Sequence, residues 1–139
     1  MSNEATIQYS LTILNGNLRY QPASITFRAT VTGTKGPVPG AISVTTAGVD
    51  VDFSELVQPA LCKFTNLDST NFVSYGIWDG TSFYPLGELL PGESYPLRLS
   101  RDLGEEFGTG TGTTGAAINK LRFKANTATC DVSIEAFES

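Results

Sequence analysis

The feature that most constrains the fold of this chain is an alternation of apolar and polar residues, interrupted by turn-forming sequences. In Ser24–Thr32, SITFRATVT, every second residue from Ile25 is apolar, and Thr6–Leu14, TIQYSLTIL, repeats the pattern. A period of two residues sends neighbouring side chains to opposite faces of a strand, so Thr6–Leu14 predicts a half-buried strand and Ser24–Thr32 predicts the clearest strand of the chain. Such segments recur about every 8–12 residues, which predicts an all-β fold: a single β-sandwich or jelly-roll-like domain of about nine or ten antiparallel strands.

Glycine and proline mark the predicted turns between these strands. Asn15-Gly16 is a strong hairpin signal, because both residue types tolerate a positive φ. The segment Gly33–Gly40 contains two prolines and is predicted to be a turn. Ser54–Val57 is predicted as one turn of helix, and Pro96 predicts that Tyr95–Leu99 is an edge strand.

The length of 139 residues predicts one domain spanning 1–139. Within it, residues 1–5 are expected to form an N-terminal arm. Residues 101–119, rich in glycine and threonine, are expected to form a long exposed loop. No apolar run approaches 18 residues, so no membrane span is expected. The first five residues lack the basic and apolar stretches of a secretory signal, so we expect none.

Composition argues against several classes of function. The chain has no histidine, which removes the commonest general base and the commonest metal ligand. Its net charge of −5 disfavours contact with nucleic-acid phosphates or anionic membranes. The two cysteines, Cys62 and Cys130, are expected to be free buried thiols in a reducing compartment. We therefore predict no catalytic residues, no cofactor and no metal.

Two motifs have an alternative chemical interpretation. Gly110–Gly115, GTGTTG, has the spacing of a dinucleotide-binding loop but lacks the strand before it and the helix after it, so a loop is predicted. Asp50 and Asp52 lie two residues apart, and paired carboxylates serve glycosidases or calcium sites. With Asp79 they define a hydrolase alternative, whereas the simpler interpretation is a solvated strand face.

Aromatic residues cluster in the second half of the chain and are candidates for an interface. Aromatic side chains contribute strongly to protein–protein contacts, although core packing and sugar binding use the same residue types. The candidate interface residues are Tyr75, Trp78, Phe83, Tyr84 and Tyr95.

The segment Leu61–Val73, LCKFTNLDSTNFV, resembles an "fxNLDxTNfV" segment of small virion proteins of tailed bacteriophages. The resemblance continues through Leu89–Ser94, LLPGES, and Leu121–Ala128, LRFKANTA, to the C-terminal strand. It also includes the first hairpin, Leu14–Leu18, LNGNL. It is a pattern of strands and turns and carries no catalytic residue.

The resemblance implies a non-enzymatic virion structural protein, with a head decoration or cement protein favoured over a tail or head–tail component. It implies other virion proteins as partners, either the major capsid protein or tail proteins. It also implies a homo-oligomer in the particle and a location in the virion, assembled in the host bacterial cytoplasm. A carbohydrate-binding β-sandwich on a host-recognition fibre is the alternative from a different class.

Overall fold

A computed structural model describes residues 4–100 and 120–139, and within these ranges the chain is built of β-strands joined by turns. The strands are β1 (Glu4–Tyr9), β2 (Ile13–Asn15), β3 (Leu18–Tyr20), β4 (Ile25–Thr30), β5 (Val38–Val44), β6 (Val49–Asp50), β7 (Pro59–Asn66), β8 (Val73–Trp78), β9 (Phe83–Leu89), β10 (Ser94–Arg98), β11 (Lys120–Ala125) and β12 (Cys130–Glu138). The prediction of an all-β fold is confirmed. The described ranges hold twelve strands where nine or ten were predicted for the whole chain.

Two four-stranded antiparallel sheets form the body of the molecule. One has the strand order β10-β7-β12-β5 and the other has β6-β11-β8-β9. The sheets pack against each other, which confirms the predicted β-sandwich. Phe64 of the first sheet meets Phe123 of the second edge-on, with 4.9 Å between ring centroids. Tyr75 packs on the same ring of Phe64 at 5.4 Å, so three aromatic rings join the two layers.

The core follows the two-residue period of the strands. In β12 the side chains of Val132, Ile134 and Ala136 are buried, whereas Asp131 before them and Phe137 after them are exposed. Cys62 and Phe64 of β7 are buried on one face, as their alternation predicted. Both cysteines are free thiols, as expected. Burial raises the pKa of Cys62 to about 12 and also raises the pKa of Cys130, so neither is a thiolate at neutral pH.

The four edge strands of the sandwich are poorly suited to pairing with another chain. Proline lies in three of them, at Pro39 of β5, Pro85 of β9 and Pro96 of β10, and the fourth, β6, is two residues long. Short edges and edge prolines block intermolecular strand pairing. The prediction that the Pro96 strand is an edge is confirmed.

Three local predictions were wrong. The strand predicted over Thr6–Leu14 is interrupted after Tyr9 and resumes at Ile13. The turn predicted over Gly33–Gly40 ends early, because Val38 is buried and pairs with Ala136, so β5 already begins there. Residues 54–57 form a turn without a helix, closed by a 2.9 Å bond from Leu56 N to Phe53 O. The predicted 101–119 loop lies outside the described residues, as does the Gly110–Gly115 motif.

The first four strands form a separate element that we call the ribbon, residues 4–30. β1 pairs with β4 from Glu4↔Thr30 to Tyr9↔Ile25, and β2 pairs with β3 from Ile13↔Tyr20 to Asn15↔Leu18. The hairpin turn predicted at Asn15-Gly16 is confirmed, with Gly16 at a φ of 56°. Each of these ladders is a two-stranded sheet, distinct from the two sheets of the sandwich.

Candidate functional site

One face of the β1–β4 part of the ribbon is entirely apolar. Residues that pair directly across an antiparallel ladder project on the same side, and alternate pairs share that side. The pairs Ala5↔Ala29, Ile7↔Phe27 and Tyr9↔Ile25 therefore lie on one face. We call this the apolar face of the ribbon.

The opposite face of β1 and β4 is polar. It carries the pairs Glu4↔Thr30, Thr6↔Arg28 and Gln8↔Thr26. The two charged side chains of this face bind each other, with Arg28 Nη1 3.2 Å from Glu4 Oε2. The charges of β1 and β4 are thus confined to one side of the ribbon.

The distal part of the ribbon is also largely apolar, with Arg19 as its one charged residue, paired with Leu14. Ile13 pairs with Tyr20, and Leu18 pairs with Asn15 beside the turn. Across the whole ribbon, eight large apolar side chains are between 39% and 61% exposed. They are Tyr9, Leu11, Ile13, Leu14, Leu18, Tyr20, Ile25 and Phe27.

This exposure corrects the prediction that Thr6–Leu14 is a half-buried strand, and it extends to the apolar residues of Ser24–Thr32. The alternation correctly separated an apolar from a polar face, but the described residues supply no second layer to cover Tyr9, Ile25 or Phe27. A half-buried strand needs such a layer, and period-two alternation does not say which molecule provides it. The sequence therefore identified the residues of this face without revealing that they are exposed.

The ribbon is attached to the sandwich at its base. Ser139 Oγ donates a 2.5 Å hydrogen bond to Thr30 O, and Thr32 N donates a 3.3 Å bond to Glu138 O. In each bond, one partner lies at or just beyond the end of β4 and the other lies at or just beyond the end of β12. These bonds fix one end of the ribbon, while its exposed residues lie towards the other end.

A cleft of about 420 Å³ lies between the base of the ribbon and the outer face of the β10-β7-β12-β5 sheet. Its lining is largely apolar and includes Ile7, Leu61 and Phe137. The polar groups that line it include Lys63 and Glu135, which form an ion pair at 2.6 Å. The lining suits apolar side chains rather than a reactive substrate.

The five aromatic residues predicted as a candidate interface are divided among three environments. Tyr75 is partly buried and packs on Phe64 and Phe123. Trp78, Phe83 and Tyr84 lie on the β8–β9 hairpin, where the Arg122 guanidinium stacks over the Trp78 ring at 3.8 Å. Tyr84 is exposed on that sheet, and Tyr95 is exposed on β10 of the other sheet.

The carboxylates of the hydrolase alternative are held by local partners. Asp50 Oδ1 accepts a 2.6 Å bond from Arg122, and Lys120 lies 3.3 Å from its other oxygen. Asp52 accepts from Ser54 N at 2.8 Å, and Asp79 accepts from Thr81 N and Ser82 N in the β8–β9 turn. Hydrogen bonds from the side chain and then the backbone of Ser54 lower the pKa of Asp52, and the backbone bonds from Ser82 and Thr81 lower the pKa of Asp79. Such contacts account for the three carboxylates as ion-pair and turn residues.

Replacing Asp50 by Asn is expected to remove a pH-dependent contribution to stability. Partial burial acts to raise the pKa of Asp50, but the hydrogen bonds and charges of Arg122 and Lys120 outweigh it and lower the pKa below 3.8. A carboxylate whose pKa is lowered by folding stabilises the protein above its unfolded-state pKa, and this contribution is lost as the pH falls through the folded value. Urea unfolding at pH 7 should show Asp50→Asn less stable by about 1 kcal/mol.

The difference between the two proteins should shrink as the pH falls below 3.8 and disappear once the pH is below the lowered pKa of folded Asp50, because the carboxyl is then neutral in both states. Glu88→Gln is the control, since it removes one exposed carboxylate from β9 and should change stability by only a few tenths of a kcal/mol. A difference for Asp50→Asn that is equally large at pH 2 and pH 7 would contradict the assignment.

Within residues 4–100 and 120–139, no group of three or more acidic or cysteine side chains is placed to hold a metal ion. The same ranges contain no helix long and apolar enough to cross a membrane. No family model, curated protein or solved structure matches this chain. The exposed apolar ribbon is therefore the candidate functional site, on the strength of its own geometry.

Proposed function

We propose that this chain is a non-enzymatic structural protein of a tailed-bacteriophage virion, acting as a head decoration or cement protein. The observation that carries the proposal is the ribbon with its eight exposed large apolar side chains. Proteins that work alone rarely leave contiguous apolar patches larger than a few hundred Å² in water, and larger patches mark interaction sites. A protein that binds through such a patch contributes surface to an assembly.

Two further observations support a structural role. The segment Leu61–Val73 resembles the "fxNLDxTNfV" segment of small virion proteins, and it includes most of β7 and the turn that follows. The carboxylates that a hydrolase would use, at Asp50, Asp52 and Asp79, are held in ion pairs or turns. Both observations favour binding over catalysis.

The sandwich and the ribbon would have different tasks in this function. Proline residues or a short strand block pairing with another chain at the edges of the sandwich, so we expect no strand pairing between sandwiches. The ribbon strands β1 and β4 are six residues long and contain no proline. Docking to the major capsid protein, or to a tail protein in the alternative location, would then involve the ribbon.

Cryo-electron microscopy of particles assembled with this protein tests the proposal. Regular density at capsid lattice points is expected for a cement protein. Density confined to the tail, vertex or neck would assign the alternative role of a tail or head–tail component. Absence from every particle would overturn the virion proposal, and a glycan array would then test carbohydrate binding.

A matched pair of variants connects incorporation to the ribbon. Phe27→Arg places a charge on the apolar face, whereas Thr26→Arg places the same charge on the polar face one residue away. We expect Phe27→Arg to reduce incorporation at least tenfold and Thr26→Arg to leave it near the wild-type level, because a buried unpaired charge is costly at an interface. Quantification of the protein in purified particles provides the measurement.

If Phe27→Arg enters particles at the wild-type level, the ribbon is not part of the docking surface. Tyr84→Ala tests the next candidate surface, since Tyr84 is exposed on the β8–β9 hairpin. Loss of incorporation with Tyr84→Ala alone would move the docking site to the aromatic residues first identified in the sequence.

A further inference from the structure

We propose that the ribbon is a hinged strap that closes over its own sandwich in the free chain, bringing the apolar face of the ribbon onto the outer face of the β10-β7-β12-β5 sheet. The structure shows the strap attached at its base and open towards its far end. The inference rests on the proposed function only in taking the ribbon as the docking element. It adds that the chain itself covers this face when no partner is bound.

The burial of β1 and β4 shows which side of the ribbon faces the sandwich. The partly buried residues of these two strands are Ala5, Ile7 and Ala29, and all three belong to the apolar face. Residues of the polar face, such as Gln8 and Thr26, are exposed. Ala5 and Ile7 also line the cleft between the ribbon and the sandwich. The apolar face is therefore turned towards this chain's own sandwich.

The exposure of the apolar face increases with distance from the base of the ribbon. The pair Ala5↔Ala29, next to the base, is partly buried, whereas the pair Tyr9↔Ile25 is about half exposed. A face that lies flat on a second layer is covered along its whole length. The gradient indicates a face that is inclined to the sandwich, and the cleft of about 420 Å³ is the space beneath it.

The surface of the sandwich across the cleft is suited to receive this face. Leu61, Pro96 and Phe137 line it from three neighbouring strands. Lys63 and Glu135 line it too, and because they form an ion pair at 2.6 Å, covering them leaves neither charge unpaired. Contact between two apolar surfaces is favoured because it removes their area from water. Closure of the ribbon therefore requires no partner and no rearrangement of the sandwich.

The connection between the ribbon and β5, residues 31–37, provides the hinge. Gly33 passes so close to β12 that a Cβ atom at this position would overlap Glu138 Oε2. Glu138 is buried, and its Oε1 accepts a 2.6 Å bond from Val57 N. This contact and the bond from Thr32 N to Glu138 O hold the base in place, so the ribbon moves by rotation rather than by sliding. Glycine permits such a rotation because it has the widest range of backbone angles.

Hydroxyl-radical footprinting read by mass spectrometry tests closure in the purified full chain. Tyr9 on the apolar face and Tyr84 on the β8–β9 hairpin are 48% and 53% exposed, so an open ribbon predicts nearly equal oxidation of the two rings. We expect Tyr9 to be oxidised at least about threefold more slowly than Tyr84, because a ribbon that is closed most of the time exposes Tyr9 only in its open fraction. The ratio should not depend on protein concentration, since closure occurs within one chain.

Charged substitutions on the two walls of the cleft control the measurement. Phe137→Arg should restore the oxidation of Tyr9 to the rate of Tyr84, because closure would then bury an unpaired charge. Ile7→Arg places the same charge on the ribbon wall and decides the question if thermal unfolding shows that Phe137→Arg does not fold. Gln8→Arg places it on the polar face and should leave Tyr9 protected.

Three results would overturn closure. The first is equal oxidation of Tyr9 and Tyr84 in the wild type. The second is protection of Tyr9 that increases with protein concentration, because another copy then covers the ring. The third is protection that persists in folded Phe137→Arg and Ile7→Arg variants, because the cleft walls then have no part in it.

The outcomes of this experiment and of the particle experiment are independent. A chain with equally oxidised Tyr9 and Tyr84 that still enters particles would overturn closure and leave the virion role intact. A chain with protected Tyr9 that enters no particle would support closure and overturn the virion role.

Discussion

Replacing Phe123 by Ala is expected to lower the free energy of unfolding by about 4 kcal/mol, one of the two largest effects predicted for this protein. Phe123 is fully buried in β11. Its ring centroid lies 4.9 Å from that of Phe64 in the opposite sheet and 5.8 Å from that of Tyr75. Truncation removes the transfer energy of the ring and leaves a cavity between two rigid sheets that cannot close around it. Denaturant titration followed by tryptophan fluorescence measures the change.

Phe137→Ala is the matched control for this substitution. Phe137 has the same side chain on a neighbouring part of the sandwich, but it lies on the outer face of β12 and is 36% exposed. Its loss should cost about 1 kcal/mol or less, because little cavity forms at a partly solvated position. Equal costs for the two substitutions would mean that Phe123 is not the contact that joins the sheets.

Asn66→Ala is expected to cost about 3 kcal/mol, because it removes a buried side chain that serves three backbone groups. Asn66 is 1% exposed at the end of β7. Its Nδ2 donates to Asn71 O at 2.8 Å and to Leu89 O at 3.1 Å, and its Oδ1 accepts from Asp68 N at 3.0 Å. Alanine leaves the buried Leu89 O and the part-buried Asn71 O and Asp68 N without this partner, and each unsatisfied group carries a desolvation cost that grows with its burial.

Two other variants sharpen the test at Asn66. Asn66→Asp keeps the acceptor for Asp68 N but replaces the donor with a carboxylate facing two carbonyl oxygens, so it should be at least as destabilising as alanine. Ser69→Ala lies on the exposed part of the same turn and should change stability by less than 0.5 kcal/mol. An Asn66→Ala variant as stable as Ser69→Ala would refute the role assigned to the amide.

These contacts explain the polar residues of the segment from Asn66 to Asn71. Asp68 Oδ1 accepts bonds from Thr70 N at 2.7 Å and Asn71 N at 2.6 Å, which lowers the pKa of Asp68 and closes the turn. Asn66 then joins this turn to the end of β9. The pattern Asn-Leu-Asp-x-Thr-Asn is therefore a structural turn between β7 and β8.

The sequence alone predicted the fold class and most strand positions. The alternation in Leu61–Asn66 placed Cys62 and Phe64 on one face, and the core confirms this. Asn15-Gly16 and Pro96 predicted a hairpin and an edge strand, because the positive φ and the missing N–H are local properties of the residues. Gly33–Gly40 was the harder case, since the burial of Val38 against β12 is a contact over nearly a hundred residues.

For the candidate site, too, some properties follow from local sequence and others from contacts between distant residues. The sequence by itself determined that Ile7, Tyr9, Ile25 and Phe27 lie on one face of two strands, because the strand period is a property of the backbone. Only the tertiary structure decided that β1 and β4 pair with each other and leave this face uncovered. Burial depends on which elements pack together, and that choice is made by contacts between distant residues rather than by any local pattern.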